Sequence, residues 1–210
     1  MTDHIIKSVE ELKAVYNQEP SEASLVKESD HVTDEYRRLI EASTFLALAS
    51  VGSDEIDCSP RGDNPGFVRI QDEKTLMIPD RRGNNRVDTL LNIVNDPRVS
   101  LMFLIPGSGT VLRVNGRAVL SIDPELLESF AEKGKPPRSV MVVTIDVMYF
   151  QCARAVMRAK LWDASMHVDP KSLPSAGDIL ASQTKGREDG GVDGEAYDKE
   201  WPERAEKSMW

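Results

Sequence analysis

The chain has 210 residues and a formal net charge of −9, so it suits one domain with additions and can bury roughly 70% of its unfolded surface. The acidic balance argues against a nucleic-acid surface, which needs a basic face, and makes any anion site a local reversal of the global field. Cys58 and Cys152 are its two cysteines, far apart and outside any C-x-x-C pair, which excludes a disulfide framework or a cysteine zinc site and fits a reducing compartment.

The first four residues lack a basic region followed by an apolar core, and no apolar run approaches a membrane span. A soluble, cytoplasmic protein is expected. Ser8-Val9-Glu10-Glu11 reads as a capping box opening a short helix that Pro20 ends. One or two further turns are expected between Ser21 and Ser29. Thr33 to Tyr36 starts a clearer helix, with Tyr36, Leu39 and Ile40 on one face. The apolar run Thr44 to Val51 reads as a strand bounded by Gly52-Ser53-Asp54. Phe67–Gln71 and Thr75–Ile78 flank Asp72-Glu73-Lys74 as a hairpin.

Val87, Leu90, Leu91 and Val94 recur at helical spacing before Pro97. Arg98 to Ile105 is a strand ended by Pro106-Gly107. Thr110 to Ile122 is a long strand with a bulge or bend at Asn115-Gly116. Asp123 caps a helix with Pro124 at its first position. Ser139 to Phe150 is a last strand. About six strands joined mostly by hairpins imply an antiparallel sheet, and the bend at Gly116 suits a small closed barrel.

The chain divides into a helical extension over 1–32, a β-rich domain over 33–164 and an acidic, partly flexible extension over 165–210. Two readings of the last segment are open. Gly, Asp and Glu over 186–199 suit a flexible tail, whereas Ile179, Leu180, Trp201 and Trp210 offer apolar anchors.

Three units carry candidate chemistry. Asp80 to Arg86 packs three arginines and two asparagines into seven residues before a helix. Guanidinium groups grip phosphate by two-pronged hydrogen bonding, and a helix start adds free N–H groups. The competing reading is a solvated, charged turn. Ser59-Pro60-Arg61-Gly62-Asp63 forms a bend whose free backbone groups can read the edge of a flat heterocycle, or an ordinary turn. Tyr149 to Trp162 runs from a strand into a helical turn that brings Arg154 and Arg158 onto one polar face, with Trp162 as a stacking surface. That face equally suits a basic helix end complementing its own dipole.

Several chemistries are absent. No G-x-G-x-x-G follows a strand, and there is no P-loop. His4, His31 and His167 stand outside the β-rich core, which weakens a metal centre, a catalytic triad and a haem site alike. Cys58 and Cys152 lack a nearby histidine, and a buried, inert thiol is expected for each.

Together the three units resemble the pyridoxamine 5′-phosphate oxidase-like flavoproteins, the FMN-binding split-barrel superfamily. The resemblance runs from about Thr33 to Ala164. It rests on Ser59-Pro60-Arg61-Gly62-Asp63, Pro65-Gly66-Phe67-Val68, Ile78-Pro79-Asp80-Arg81, Gly83-Asn84-Asn85-Arg86, Asp96-Pro97-Arg98 and Tyr149 to Ala155.

The resemblance implies a mainly β, antiparallel split barrel with added helices, forming a homodimer with FMN at the subunit interface. It implies that Arg69, Asn84, Asn85 and Arg86 hold the phosphate, with Asn where the family has its first basic residue. Ile78, Pro79 and Asp80 then lie along the flavin, with Ser59, Pro60, Arg61 and Gly62 beside it, while Arg81 joins the loop that donates to the phosphate. Arg154 and Trp162 reach it from the partner subunit. The family's C-terminal Arg-x-His substrate segment is missing after Trp162. The resemblance therefore implies an FMN oxidoreductase with a different substrate more than a true pyridoxamine 5′-phosphate oxidase. A non-enzymatic flavin or haem carrier or sensor is the further alternative.

Overall fold

The structure, a computed structural model, describes residues 4–53 and 55–209. The first three residues, read above as lacking a leader, and Asp54 and Trp210 lie outside the described residues.

Two short helices come first, α1 (Val9–Val15) and α2 (Glu22–Leu25). Ser8 caps α1 through Glu11 N, and the Glu11 carboxylate reaches back to Lys7 N at 2.7 Å. Helix α3 (Asp34–Ala42) starts on Thr33, whose hydroxyl accepts from Tyr36 N, and it buries Tyr36 and Ile40. Tyr36 Oη donates to Lys27 O and accepts from Phe150 N, so the N-terminal extension is tied to the sheet.

The sheet comprises β1 (Phe45–Val51), β2 (Ile56–Gly62), β3 (Arg69–Asp72), β4 (Thr75–Pro79), β5 (Arg98–Leu104), β6 (Val111–Ser121) and β7 (Val140–Gln151). Helices α4 (Asp88–Asn95) and α5 (Pro124–Ser129) are inserted between strands. After β7 come α6 (Arg154–Ala159), α7 (Ala176–Gln183) and α8 (Gly194–Ser208).

All seven strands join one sheet in the order β2-β1-β5-β6-β7-β4-β3, and every neighbouring pair is antiparallel. The architecture is the expected mainly β split barrel. The ladder does not close, because β2 and β3 remain its two edges, so the closed barrel suggested by the Gly116 bend is not formed. The strand missed in the sequence is β2. Pro and Gly made it read as a bend, yet Pro60 sits opposite Ala47 on an edge strand, where a missing N–H breaks no inner ladder.

The bulge at Asn115-Gly116 is present, with the β6–β7 register shifting there. A Cβ on Gly116 would lie 2.2 Å from Thr144 O, so only glycine lets the strands approach. Inward residues of the central strands, among them Leu48, Leu101, Phe103, Leu112 and Met148, are fully buried and form one core with α3. Each large apolar side chain so buried contributes about 1.5–3 kcal/mol.

The C-terminal segment contains two packed helices rather than featureless coil. A Cβ on Gly177 would lie 2.1 Å from Gly194 O, so α7 and α8 meet backbone to backbone. Asp198 Oδ1 locks the crossing by accepting from Gly177 N at 2.9 Å. No described helix is long and apolar enough to cross a membrane.

Candidate functional site

The period-two geometry of β2 sorts the expected site residues. Arg61, Ser59 and Asp57 pair with Leu46, Leu48 and Ser50, which all point into the core, so the three side chains share the inner face. Pro60 and Gly62 alternate to the other side. Ser59 and Asp57 meet helix α4 through Thr89, whose hydroxyl lies 3.0 Å from Ser59 Oγ and donates to Asp57.

Beside this row lies a cleft of about 490 Å³. It is lined by Arg61, the 80–87 segment, Thr89 and Leu90 of α4, Arg138 and Ser139 before β7, and Ser208 of α8. Backbone pairing builds it, because Asp80 N donates to Ser139 O at 2.9 Å while Pro79 pairs with Val140. A second hollow of about 540 Å³ continues past Arg61, Asn84 and Arg86 toward Asp57, Ser59 and Asp88.

The wall is cationic and incompletely paired. Arg61 keeps 22% side-chain exposure, and one of its terminal nitrogens lies 3.8 Å from Asp80 Oδ1. Its Nε is buried without a hydrogen-bond partner among the described residues. Arg138 Nη1 donates to Asn85 Oδ1 at 2.6 Å. Asn85 takes a left-handed φ of 65°, which Asn tolerates better than most residues. Burial pushes the Asp80 carboxyl above its ordinary value, while Arg61 and Arg138 pull it back.

The structure brings together Ser59, Pro60, Arg61, Asp80, Arg81, Asn84, Asn85 and Arg86. Their roles differ. Arg86 is 77% exposed and turned onto Asp88 at 2.7 Å. Arg81 Nε is held by Asp63 Oδ2 at 2.8 Å, Asp63 is 2% exposed, and Arg81 Nη1 donates to Phe130 O. That guanidinium staples β2 to the end of α5.

Other expected residues lie elsewhere. Arg69 stacks 3.7 Å from the Phe130 ring and donates to Ser129. Burial, with Arg81 nearby, lowers its basicity. Ile78 is fully buried in the core, and Pro79 is buried too. Trp162 Nε1 donates to Ser108 O at 2.7 Å, and Arg154 opens α6. Both follow the far end of β7, a strand of 12 residues and so roughly 40 Å long. Within one chain they do not line the cleft.

Asp57, Thr89 and Arg138 went unrecognised in the sequence. Asp57 is legible in retrospect, two residues before Ser59 on a strand. Arg138 reaches the cleft through the β4–β7 register, for which no local signal exists. Both cysteines are exposed, not buried as expected. The Cys152 thiol is lowered mainly by the Arg154 N–H. No cluster that could hold a metal ion occurs among the described residues.

The family model described as pyridoxamine 5′-phosphate oxidase matches residues 32–152, more than half of the chain. No curated protein matches the sequence. Among solved structures, HupZ of Group A Streptococcus is similar at 17% identity, covering 55% of this chain and 91% of that one, with a TM-score of 0.46. A candidate pyridoxamine 5′-phosphate oxidase of Lactobacillus delbrueckii aligns at 20% identity over 58% and 95% of the two chains, TM-score 0.46. A FAD-binding protein of Mesorhizobium loti aligns at 16% identity over 58% and 96%, TM-score 0.38.

Proposed function

Because the chain belongs to the pyridoxamine 5′-phosphate oxidase family, we propose that it is an FMN-binding oxidoreductase that acts on a substrate other than pyridoxamine phosphate. The observation that carries the reading is the cationic cleft itself, lined by Arg61, Arg86 and Arg138, in which a terminal nitrogen of Arg61 is held only loosely, 3.8 Å from Asp80 Oδ1. A guanidinium so loosely paired keeps donors that a phosphate oxygen would satisfy. The residues fit such a group, since Arg61, Arg138, Asn84 and Arg86 converge on one hollow.

When bound, the flavin ring supplies the hydride or electron chemistry. The chain's own residues bind and orient. Arg61 and Arg138 neutralise the phosphate, and Asn85 keeps Arg138 in place. Arg86 would exchange its exposed pair with Asp88 for the phosphate. Asp80 is half-buried between Arg61 and Arg138. It competes with the phosphate when ionised and yields when a proton sits on its Oδ.

We also propose a homodimer. The placement of Arg154 and Trp162 far from their own chain's cleft supports their contribution to a partner's site. Phe45, Met102 and Val119 lie exposed on the outer face of the sheet and offer an apolar surface for it. Two free cysteines favour the reducing cytoplasm as its setting.

The test is to purify the protein, reconstitute it with FMN and measure flavin absorbance, its release on denaturation and its mass in solution. Yellow, dimeric protein whose flavin a nicotinamide donor reduces supports the reading. Colourless protein that cannot be reconstituted overturns it. Bound FMN without reduction would favour a carrier, and formation of pyridoxal phosphate from pyridoxamine phosphate and oxygen would restore the true oxidase.

A further inference from the structure

A third cavity, of about 880 Å³, lies between helix α8 and the loops at 62–64 and 81–84. Tyr197, Trp201, Arg204, Ala205 and Ser208 recur along α8 at helical spacing, so they share one face, and all five line this cavity. That face does not pack on the loops; it looks across a gap at them. Trp201 remains 54% exposed. The other side of α8 is held at the Gly177–Gly194 crossing and by Asp198, so the helix has a fixed anchor.

The charge around the gap has one sign. Asp63 is tied to Arg81 and nearly inaccessible. Lys207 is paired with Glu203. Arg82 and Arg204 are in no ion pair among the described residues. Arg204 lies 4.1 Å from the Tyr197 ring, so its planar guanidinium extends the aromatic surface. Flat apolar walls with two uncompensated cations suit a flat, negatively charged molecule. The volume lies within the roughly 300–1,000 Å³ of small-molecule sites.

We propose that this α8 cavity binds a planar aromatic anion, stacked on Trp201 and held by Arg82 and Arg204. The cavity and the phosphate cleft share Arg81, Arg82, Gly83, Asn84 and Ser208, so the bound molecule would stand beside the cleft. The inference goes beyond the flavin reading and holds even for a protein that bound no FMN.

Anthraquinone-2-sulfonate serves as the probe, with neutral 2-methylanthraquinone as its uncharged counterpart, titrated calorimetrically into the full chain. We expect saturable, one-to-one binding of the sulfonate, at least tenfold weaker in Trp201→Leu and in Arg82→Gln. Trp201→Phe, which keeps a ring, should bind within a few-fold of the wild type. Trp201→Leu should take up FMN with unchanged affinity, which also reports that it is folded. Equal affinity in Trp201→Leu, equal binding of the neutral analogue, or displacement of the probe by FMN without dependence on Trp201 would overturn the inference. Trp201-dependent probe binding by a protein that fails to bind FMN would overturn the flavin reading alone.

Discussion

Replacing Arg61 by Met should separate ligand binding from stability. The Arg61 Nε is buried without a partner, and its terminal nitrogen is 3.8 Å from Asp80. An unsatisfied buried donor costs about 1–3 kcal/mol, whereas a partly exposed ion pair contributes about 0.2–1 kcal/mol. Met fills the space of the arginine stem while removing both terms. The ligand-free fold should therefore keep its stability or gain up to about 3 kcal/mol. With FMN present, the same guanidinium would donate to a phosphate oxygen, a charge-assisted bond worth about 1.5–3 kcal/mol. Arg61→Met should then bind FMN about 10- to 150-fold more weakly. Urea unfolding of the ligand-free protein and quenching of FMN fluorescence measure the two quantities separately. A variant that loses stability but binds FMN as tightly as the wild type would refute the reasoning, because Arg61 would then be a structural residue.

Arg81→Met should behave oppositely. It leaves the nearly inaccessible Asp63 carboxylate unpaired, at a cost of about 3–5 kcal/mol. Addition of Asp63→Leu should recover most of that loss in the same urea assay. Gly116→Ala forces a methyl against Thr144 O and should destabilise by about 1–3 kcal/mol, read as a lowered Tm; an unchanged Tm would mean that the bulge relaxes freely. Asp80 has a raised carboxyl pKa, so it ionises as pH climbs through that raised value and then competes with phosphate for Arg61 and Arg138. FMN affinity of the wild type should fall relative to Asp80→Asn as pH rises. The ratio of the two removes the titration of the phosphate itself, and parallel pH profiles would show that Asp80 plays no part.

Much of the sheet was legible because its signals are local. Thr33, Asp123 and Pro124 mark helix starts by side-chain capping, and Gly116 marks the bulge by its missing Cβ. Strand β2 was not, since Pro60 and Gly62 punctuate like a turn and only its edge position makes them tolerable. The Asp80–Arg86 segment is a cationic loop by composition, but spacing alone could not say which arginine is left without a protein partner to hold it. Arg81 and Arg69 are committed to Asp63, Ser129 and Phe130, partners distant in sequence. Arg138 carries no motif, and its place in the cleft follows from the Pro79–Val140 pairing. The stripe on α8 was within reach, since Tyr197, Trp201, Arg204 and Ser208 recur at helical spacing. In the sequence Trp201 stands only as an apolar anchor, beside an equally open flexible-tail reading from the Gly, Asp and Glu of 186–199.

The most direct measurement compares FMN with riboflavin, titrated into the apoprotein under the same conditions. The two share the ring and ribityl chain and differ in the phosphate that Arg61, Arg138 and Asn84 are proposed to hold. We expect FMN to bind at least a hundredfold more tightly, with the preference shrinking as salt rises. Equal affinities, or no binding of either, would contradict the placement of a flavin phosphate in this cleft.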